Sequence, residues 1–296
     1  MKLRSSTHST GGVHARTHRV GDGAAPDPSL IDTNALSADD LDRIAQYQAR
    51  TGASFGNAAV DLGLVEPEVF NQALARRVEA GQLVDPDTAG ISRAIVAAYD
   101  PEEPLSVRLR ELRSTLLTVL DLDSDRMPVI VLAGCGTDDT AGVAANLATL
   151  FAQLGQHGLI VDANFVNPAQ HALFGVDPAE GATTLLTGGG ARDESAVPTA
   201  IPNLDLVASG PAISGLSEAV ERVSLVDQLR AMRAGYRFAI IDAGNQPADI
   251  IAAIARGADG ALLLVERERS SMSGVRALSD RLDANEVPLM GSIIVR

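Results

Sequence analysis

VLAGCGTDDTAGVAANLA, residues 131–148, reads as a strand that runs into a glycine-containing turn and then a helix. An apolar run opens it, Gly134 and Gly136 allow a tight turn, and small apolar residues recur at helical spacing from Ala141 onward. The same alternation continues on either side. Strands are expected at Pro128 to Ala133, Gly158 to Asp162, Leu204 to Ala208, Phe238 to Asp242, Gly260 to Val265 and Met290 to Val295. The helices between them are roughly Ala141 to Leu154, Leu216 to Ala234, Ala248 to Ala255 and Met272 to Ala284. A further helix from Leu105 to about Leu120 precedes the first strand. Near-continuous apolar strands such as VIVLA and FAIID imply burial on both faces, so the expected fold is α/β with a parallel sheet over residues 105–296.

Ahead of this domain the composition changes twice. Residues 1–34 are rich in Ser, Thr, Gly, Pro and His, with too few large apolar groups to offset ordering entropy, and read as a disordered lead. Residues 35–79 carry three helical patterns, the first capped by Ser37 with Leu41, Ile44 and Ala45 on one face. The second runs from Ser54 to Leu62 and is stopped by Gly63; the third runs from Pro67 to about Val78. Residues 80–104 mix Gly, Pro and acidic residues around a short apolar patch, as in a linker with a docking segment.

Composition excludes several kinds of chemistry. Of 24 basic residues Lys2 is the one lysine, so no lysine is available to the domain for Schiff-base chemistry or for a lysine-bearing phosphate loop. A net charge of -14 argues against nucleic acid and against anionic lipid as partners. The single Cys135 permits no intramolecular disulfide. No apolar run approaches the roughly 18 to 20 residues that span a bilayer, and no signal peptide is evident, so a cytoplasmic protein without direct membrane insertion is expected.

Three segments fall at the C-terminal ends of expected strands, where open α/β sheets place their ligands: residues 131–148, LIVDANFVNPAQHALFG (159–175) and FAIIDAGNQP (238–247). Together with AAYDPEEPLSVRLRELRSTLL before the first strand, NLDLVASGP and the closing GSIIV, they resemble the bacterial polysaccharide-biosynthesis tyrosine autokinases, chain-length-determinant kinases of the EpsG type with a MinD/ParA-like P-loop fold. That resemblance implies a GxxxxGK[ST] loop in which amides and a lysine hold phosphate and a hydroxyl holds magnesium. Aligned on the AANLA helix, the lysine position is Thr140, its preceding glycine is Asp139, and the hydroxyl position is Ala141; the opening Gly134 remains. Asp162 survives on the second segment, Asn164 replaces a second aspartate, and Val166 and Asn167 stand where arginines are usual. Asp242 survives on the third.

A nucleotide phosphate within roughly 4 Å of one carboxylate would meet about 4 kcal/mol of repulsion at an effective dielectric near 20. Asp138 and Asp139 place two carboxylates at the helix start, where either could cap it. Phosphoryl transfer is therefore not expected, no cofactor is expected, and Asp162, Asn164 and Asp242 read as vestigial. The implied partner is an inner-membrane chain-length or export protein, which would place the chain peripherally at that membrane. Two alternatives stay open. One is an active autokinase using Mg-ATP, with Asp162 and Asp242 on the metal; the other is a MinD/ParA-like scaffold for a secretion or pilus machine.

The resemblance also implies ring assembly through E-x-x-R-x-x-R, of which Arg110 and Arg113 persist as candidate oligomer contacts while Val107 takes the glutamate position. A homo-oligomer is left open. The sequence ends at Arg296 without the tyrosine cluster of the kinases, so no acceptor tail is expected. The helical stretch around SFGNAAVDLGLVEPEVFNQALARR resembles N-terminal modules of type II secretion ATPases. Ser54 and Ala59 break its cyclic di-GMP pattern, and that ligand is not expected. Cys135 reads as a packed side chain, His157 and His171 as too isolated for a metal site, and Glu266 to Arg269 as a solvated loop.

Overall fold

The computed structural model describes residues 37–51, 55–66, 83–120, 122, 126–177, 179–189, 192–232 and 235–295. The expected lead at 1–34 and the third expected helix from Pro67 lie outside the described residues. The chain divides into two units that part between residues 81 and 82.

In the first unit, α1 spans Ala38–Thr51 and α2 spans Phe55–Asp61. The Ser37 hydroxyl accepts the Asp40 amide at 3.2 Å, and the Asp40 carboxylate accepts the Ser37 amide at 3.1 Å, a reciprocal cap that starts α1. Gly63, at φ 67°, takes the left-handed turn that ends α2. Ile44, Ala58 and Ala59 form a small buried core with Tyr47, Leu62, Leu64 and Val65 around it.

The second unit is a seven-stranded sheet. Its strands are β1 (Val129–Cys135), β2 (Gly158–Asp162), β3 (Ala196–Pro198), β4 (Leu204–Val207), β5 (Phe238–Asp242), β6 (Gly260–Glu266) and β7 (Leu289–Val295), in the order β3-β4-β2-β5-β1-β6-β7. All neighbours pair in parallel except β3, which lies antiparallel to β4. The helices are α3 (Pro86–Ala89), α4 (Pro104–Leu116), α5 (Thr140–Ala152), α6 (Gln170–Phe174), α7 (Ala182–Thr187), α8 (Leu216–Arg222), α9 (Leu225–Arg230), α10 (Ala248–Ala255) and α11 (Met272–Ala284).

Strand alternation divides the apolar residues between two cores. Val129, Val131 and Ala133 of β1, with Leu159, Val161, Ala239 and Ile241, pack on the side of α7 to α11. Ile130 and Leu132, with Ile160, Ile240, Leu262 and Leu264, pack on the side of α4 and α5. Ile91, Ile95, Ala97 and Ala98 join this second core, so part of the stretch expected as a linker packs inside it. Asn146 on α5 ties that stretch down: its side chain accepts the Ala97 amide at 2.8 Å and donates to the Ala94 carbonyl at 2.8 Å.

Two elements differ from expectation. The single helix from Leu216 to Ala234 is instead α8 and α9, because Val223 is extended (φ -119°, ψ 122°) and the Ser224 hydroxyl accepts the Asp227 amide to start a new helix. The short edge strand β3 was not expected; it carries Pro198, which suits an edge.

Candidate functional site

The parallel pairing brings the ends of β1, β2 and β5 together. Asp162 and Asp242 occupy matched register positions on neighbouring strands, and Leu132 of β1 lies opposite Asp242. Gly134 follows at the mouth of β1. A methyl group there would come within 2.5 Å of the Thr137 carbonyl oxygen, so the turn requires glycine. Ser270, after β6, donates to the Cys135 carbonyl and braces the same turn. Burial pushes the Cys135 thiol up, away from a reactive thiolate.

In a working phosphate loop the backbone N–H groups converge on the ligand. Here two of them have acceptors within the protein. The Gly136 amide donates to Asn245 Oδ1 at 3.2 Å, and the Asp139 amide donates to Thr137 Oγ1 at 3.3 Å. Asn245 in turn donates to Asp138 Oδ1 at 3.3 Å. The expected capping by Asp138 or Asp139 is corrected: Asp139 sits at the cap position but its side chain makes no cap bond, and Asp138 is turned toward Asn245 instead. Both carboxylates remain exposed at the loop.

Asp162 and Asp242 are both fully buried. Asp162 Oδ2 accepts the amides of Ala169 and Gln170, each at 2.9 Å, and Oδ1 accepts the Asn164 amide at 3.1 Å. Asp242 Oδ1 accepts the Gly244 amide at 3.0 Å, and Oδ2 accepts the side-chain amide of Gln170 at 2.9 Å. Burial, reinforced by the neighbouring Asp242 charge, pushes the Asp162 carboxyl up to about 7 despite those amides. Burial likewise raises Asp242, against the opposing influence of Gln170, Thr140 and the Gly244 amide. The Thr140 hydroxyl lies against Asp242 and favours its charged form, although it falls short of full hydrogen-bond geometry.

Asn164 is buried and packs onto Gly244, where a methyl group would meet its Cγ at 2.2 Å. Gly244 has φ 64°, so both conformation and contact reserve the position for glycine. Asn164 Oδ1 accepts the Asn167 amide at 3.1 Å and thereby shapes the loop after β2. Val166 on that loop is 71% exposed, an apolar side chain where the resemblance implies an arginine.

These donors do not suit a magnesium-nucleotide. Both buried carboxylates are loaded with backbone N–H groups, residue 141 is an alanine without a ligating oxygen, and Thr140 brings no cation to neutralise phosphate. Among the described residues no group of three His, Cys, Asp or Glu side chains gathers that could hold a metal ion.

The structure brings Gly134, Asp139, Thr140, Ala141, Asp162, Asn164 and Asp242 to one end of the sheet and leaves Arg110 and Arg113 on α4 elsewhere. Arg113 is corrected as an oligomer contact: it is buried and donates to the Leu150 carbonyl on α5 at 2.7 Å. Arg110 is half-buried and donates to the Pro101 carbonyl at 3.0 Å. His157 pairs with Asp205 at 3.1 Å beside the Tyr236 ring, just ahead of β2. Gln170, at the start of α6, is the site residue that sequence reasoning missed. A polar residue two places after a proline is the faint signal it leaves.

No family model matches the sequence. The chain is 25% identical over 288 residues to the putative tyrosine-protein kinase EpsB of Ralstonia solanacearum, an alignment covering 93% of this chain and 38% of that protein. It is 24% identical over 205 residues to the tyrosine-protein kinase YwqD of Bacillus subtilis, covering 69% of this chain and 86% of that one. It thus spans well under half the length of EpsB and most of the length of YwqD. Among solved structures, the chimerical protein CapA2B2 superposes with a TM-score of 0.59 at 24% identity, over 71% of this chain and 96% of that one. The kinase domain of the Escherichia coli tyrosine kinase ETK superposes with a TM-score of 0.55 at 22% identity, over 63% and 73%. Among the described residues no helix is long and apolar enough to cross a membrane. In sequence the chain is similar to bacterial tyrosine-protein kinases, and in fold it shares the mostly parallel α/β sheet of the solved structures on which it superposes.

Proposed function

We propose that this chain is a kinase-derived protein of exopolysaccharide biosynthesis that does not transfer phosphate and acts by binding a chain-length or export partner at the cytoplasmic face of the inner membrane. The observation that supports this most is the loop at the start of α5. Thr140 stands where the resemblance implies a lysine, Asp139 where it implies a glycine, and the Gly136 and Asp139 amides are engaged by Asn245 and Thr137. An incoming triphosphate would have to break both internal bonds and approach two exposed carboxylates without a compensating cation.

The test uses the full chain. Thermal unfolding with and without excess Mg-ATP reads nucleotide binding directly, since a ligand at about 100 times its dissociation constant adds about 2.7 kcal/mol. That would raise the midpoint by roughly 5 to 10 °C for a domain of this size. The expected shift is below about 1 °C, with no phosphate incorporated from labelled ATP. Autophosphorylation, or transfer to a tyrosine of a partner, would refute the proposal. Affinity capture from host membranes is expected to return polysaccharide-export proteins; recovery of a secretion ATPase in their place would favour the scaffold role.

A further inference from the structure

Carboxylates buried side by side require a cation, a shared proton or strong hydrogen-bond donors. Asp162 and Asp242 are such a pair, fixed in register on β2 and β5 and withdrawn from solvent. Gln170 serves both. Its backbone N–H donates to Asp162 Oδ2 at 2.9 Å, while its side-chain nitrogen donates to Asp242 Oδ2 at 2.9 Å and to the Ala141 carbonyl at 3.0 Å. The orientation of that amide follows from its neighbours. Both groups facing the nitrogen are acceptors, so the reversed amide would set oxygen against oxygen. Gln170 is itself fully buried, and its Oε1 has no hydrogen-bond partner. The amide is therefore held by its nitrogen side, with the oxygen left uncompensated.

We propose that Gln170 replaces a divalent cation in this site: a neutral, two-proton donor that bridges the β5 carboxylate to the start of α5 and completes the fold without metal. Ala141 fits the same arrangement, since it offers the bridge a backbone carbonyl and no side-chain ligand. The inference rests on the proposed loss of phosphoryl transfer, because a site bridged in this way has no place for the magnesium of Mg-ATP.

The experiment is thermal unfolding of the full chain at constant ionic strength, with Mg2+ alone as the probe, up to about 10 mM. For the unaltered chain the midpoint is expected to stay within about 1 °C. Gln170→Leu removes the side-chain donors to Asp242 and Ala141 and keeps the backbone N–H on Asp162; its midpoint is expected to fall, and Mg2+ is expected to restore about 5 °C or more of it. Gln170→Glu adds a third carboxylate and is expected to bind Mn2+ saturably at one site by calorimetry, which provides a second readout should the leucine variant not fold. A Mg2+-dependent midpoint in the unaltered chain would overturn the inference. So would a leucine variant that loses stability but does not respond to Mg2+, since that describes an ordinary structural hydrogen bond; so would a glutamate variant without saturable Mn2+ binding. Failure of this inference and failure of the proposed function are separable. Mg2+-sensitive stability without phosphate transfer removes only the former, whereas phosphate transfer from Mg-ATP removes the latter and with it the inference that rests on it.

Discussion

Replacing Asp162 by asparagine should change how the stability of the chain depends on pH. Burial and the Asp242 charge raise the folded-state pKa of Asp162 from 3.8 to about 7. Because the raised value belongs to the folded state, the folded chain keeps a proton that the unfolded chain has released. The stability associated with that proton is complete below 3.8 and is lost as the pH rises to about 7. One pKa unit corresponds to about 1.4 kcal/mol, so the whole window is worth about 4 kcal/mol, and the part between about pH 5 and about pH 7 about 3 kcal/mol. Asparagine cannot ionise and lacks this dependence. It also sets an NH2 against one of the amides of Asn164, Ala169 or Gln170 that now find an acceptor, a cost that does not vary with pH. The comparison that isolates the ionisation is therefore the difference between the two proteins at two pH values. Urea unfolding of both at about pH 5 and about pH 8 should show the variant gaining about 3 kcal/mol relative to the parent at the higher pH. Equal differences at the two pH values, to within about 0.5 kcal/mol, would refute the reasoning.

Two further substitutions test the supports around the site. Asn146→Ala removes the bonds to Ala94, Ala97 and the Gly142 carbonyl and leaves buried backbone groups unpaired, so urea unfolding should show a loss of about 2 to 4 kcal/mol; a loss below about 0.5 kcal/mol contradicts the anchoring role. Arg113→Met removes the buried donor to the Leu150 carbonyl and should cost about 1 to 3 kcal/mol without altering the elution volume in size-exclusion chromatography. A variant of unchanged stability but smaller assembly would return Arg113 to an oligomer interface.

The sequence made most of the sheet legible because its strands are uninterrupted apolar runs with clear ends. Gly158–Asp162 and Phe238–Asp242 both stop at an aspartate, and both appear with those bounds. The break between α8 and α9 was hidden because Val223 and Ser224 lie within an otherwise unbroken helical pattern, and only the extended conformation of Val223 reveals the restart. Three residues ending in proline gave β3 no alternation to detect. At the site, Gly134, Asp162 and Asp242 could be gathered from sequence because each lies at or just beyond the end of an expected strand, and Thr140 because the resemblance aligns it on the AANLA helix. Gln170 could not. Its role depends on α6 returning beneath the ends of β2 and β5, a tertiary event that no local spacing records. Arg113 was legible in principle: it follows Leu109 and Leu112 and precedes Leu116 on the buried stripe of α4, which favours an inward side chain.

The pairing of Asp162 with Asp242 limits the routes by which this chain could change. Both aspartates end central parallel strands, and sliding either strand by one residue would turn its apolar side chains to the wrong face. Their separation is thus a property of the sheet and lies beyond the reach of point substitution. Gln170 at the start of a short helix and Thr140 at the end of a turn carry the freedom that the strands lack. An ammonium introduced at position 140 would enter a site already bridged by an amide, and a carboxylate introduced at 170 would enter one with no cation. The second step alone adds an uncompensated charge to a buried pair, so an acidic residue at 170 should appear among descendants of this chain only together with a basic residue at 140.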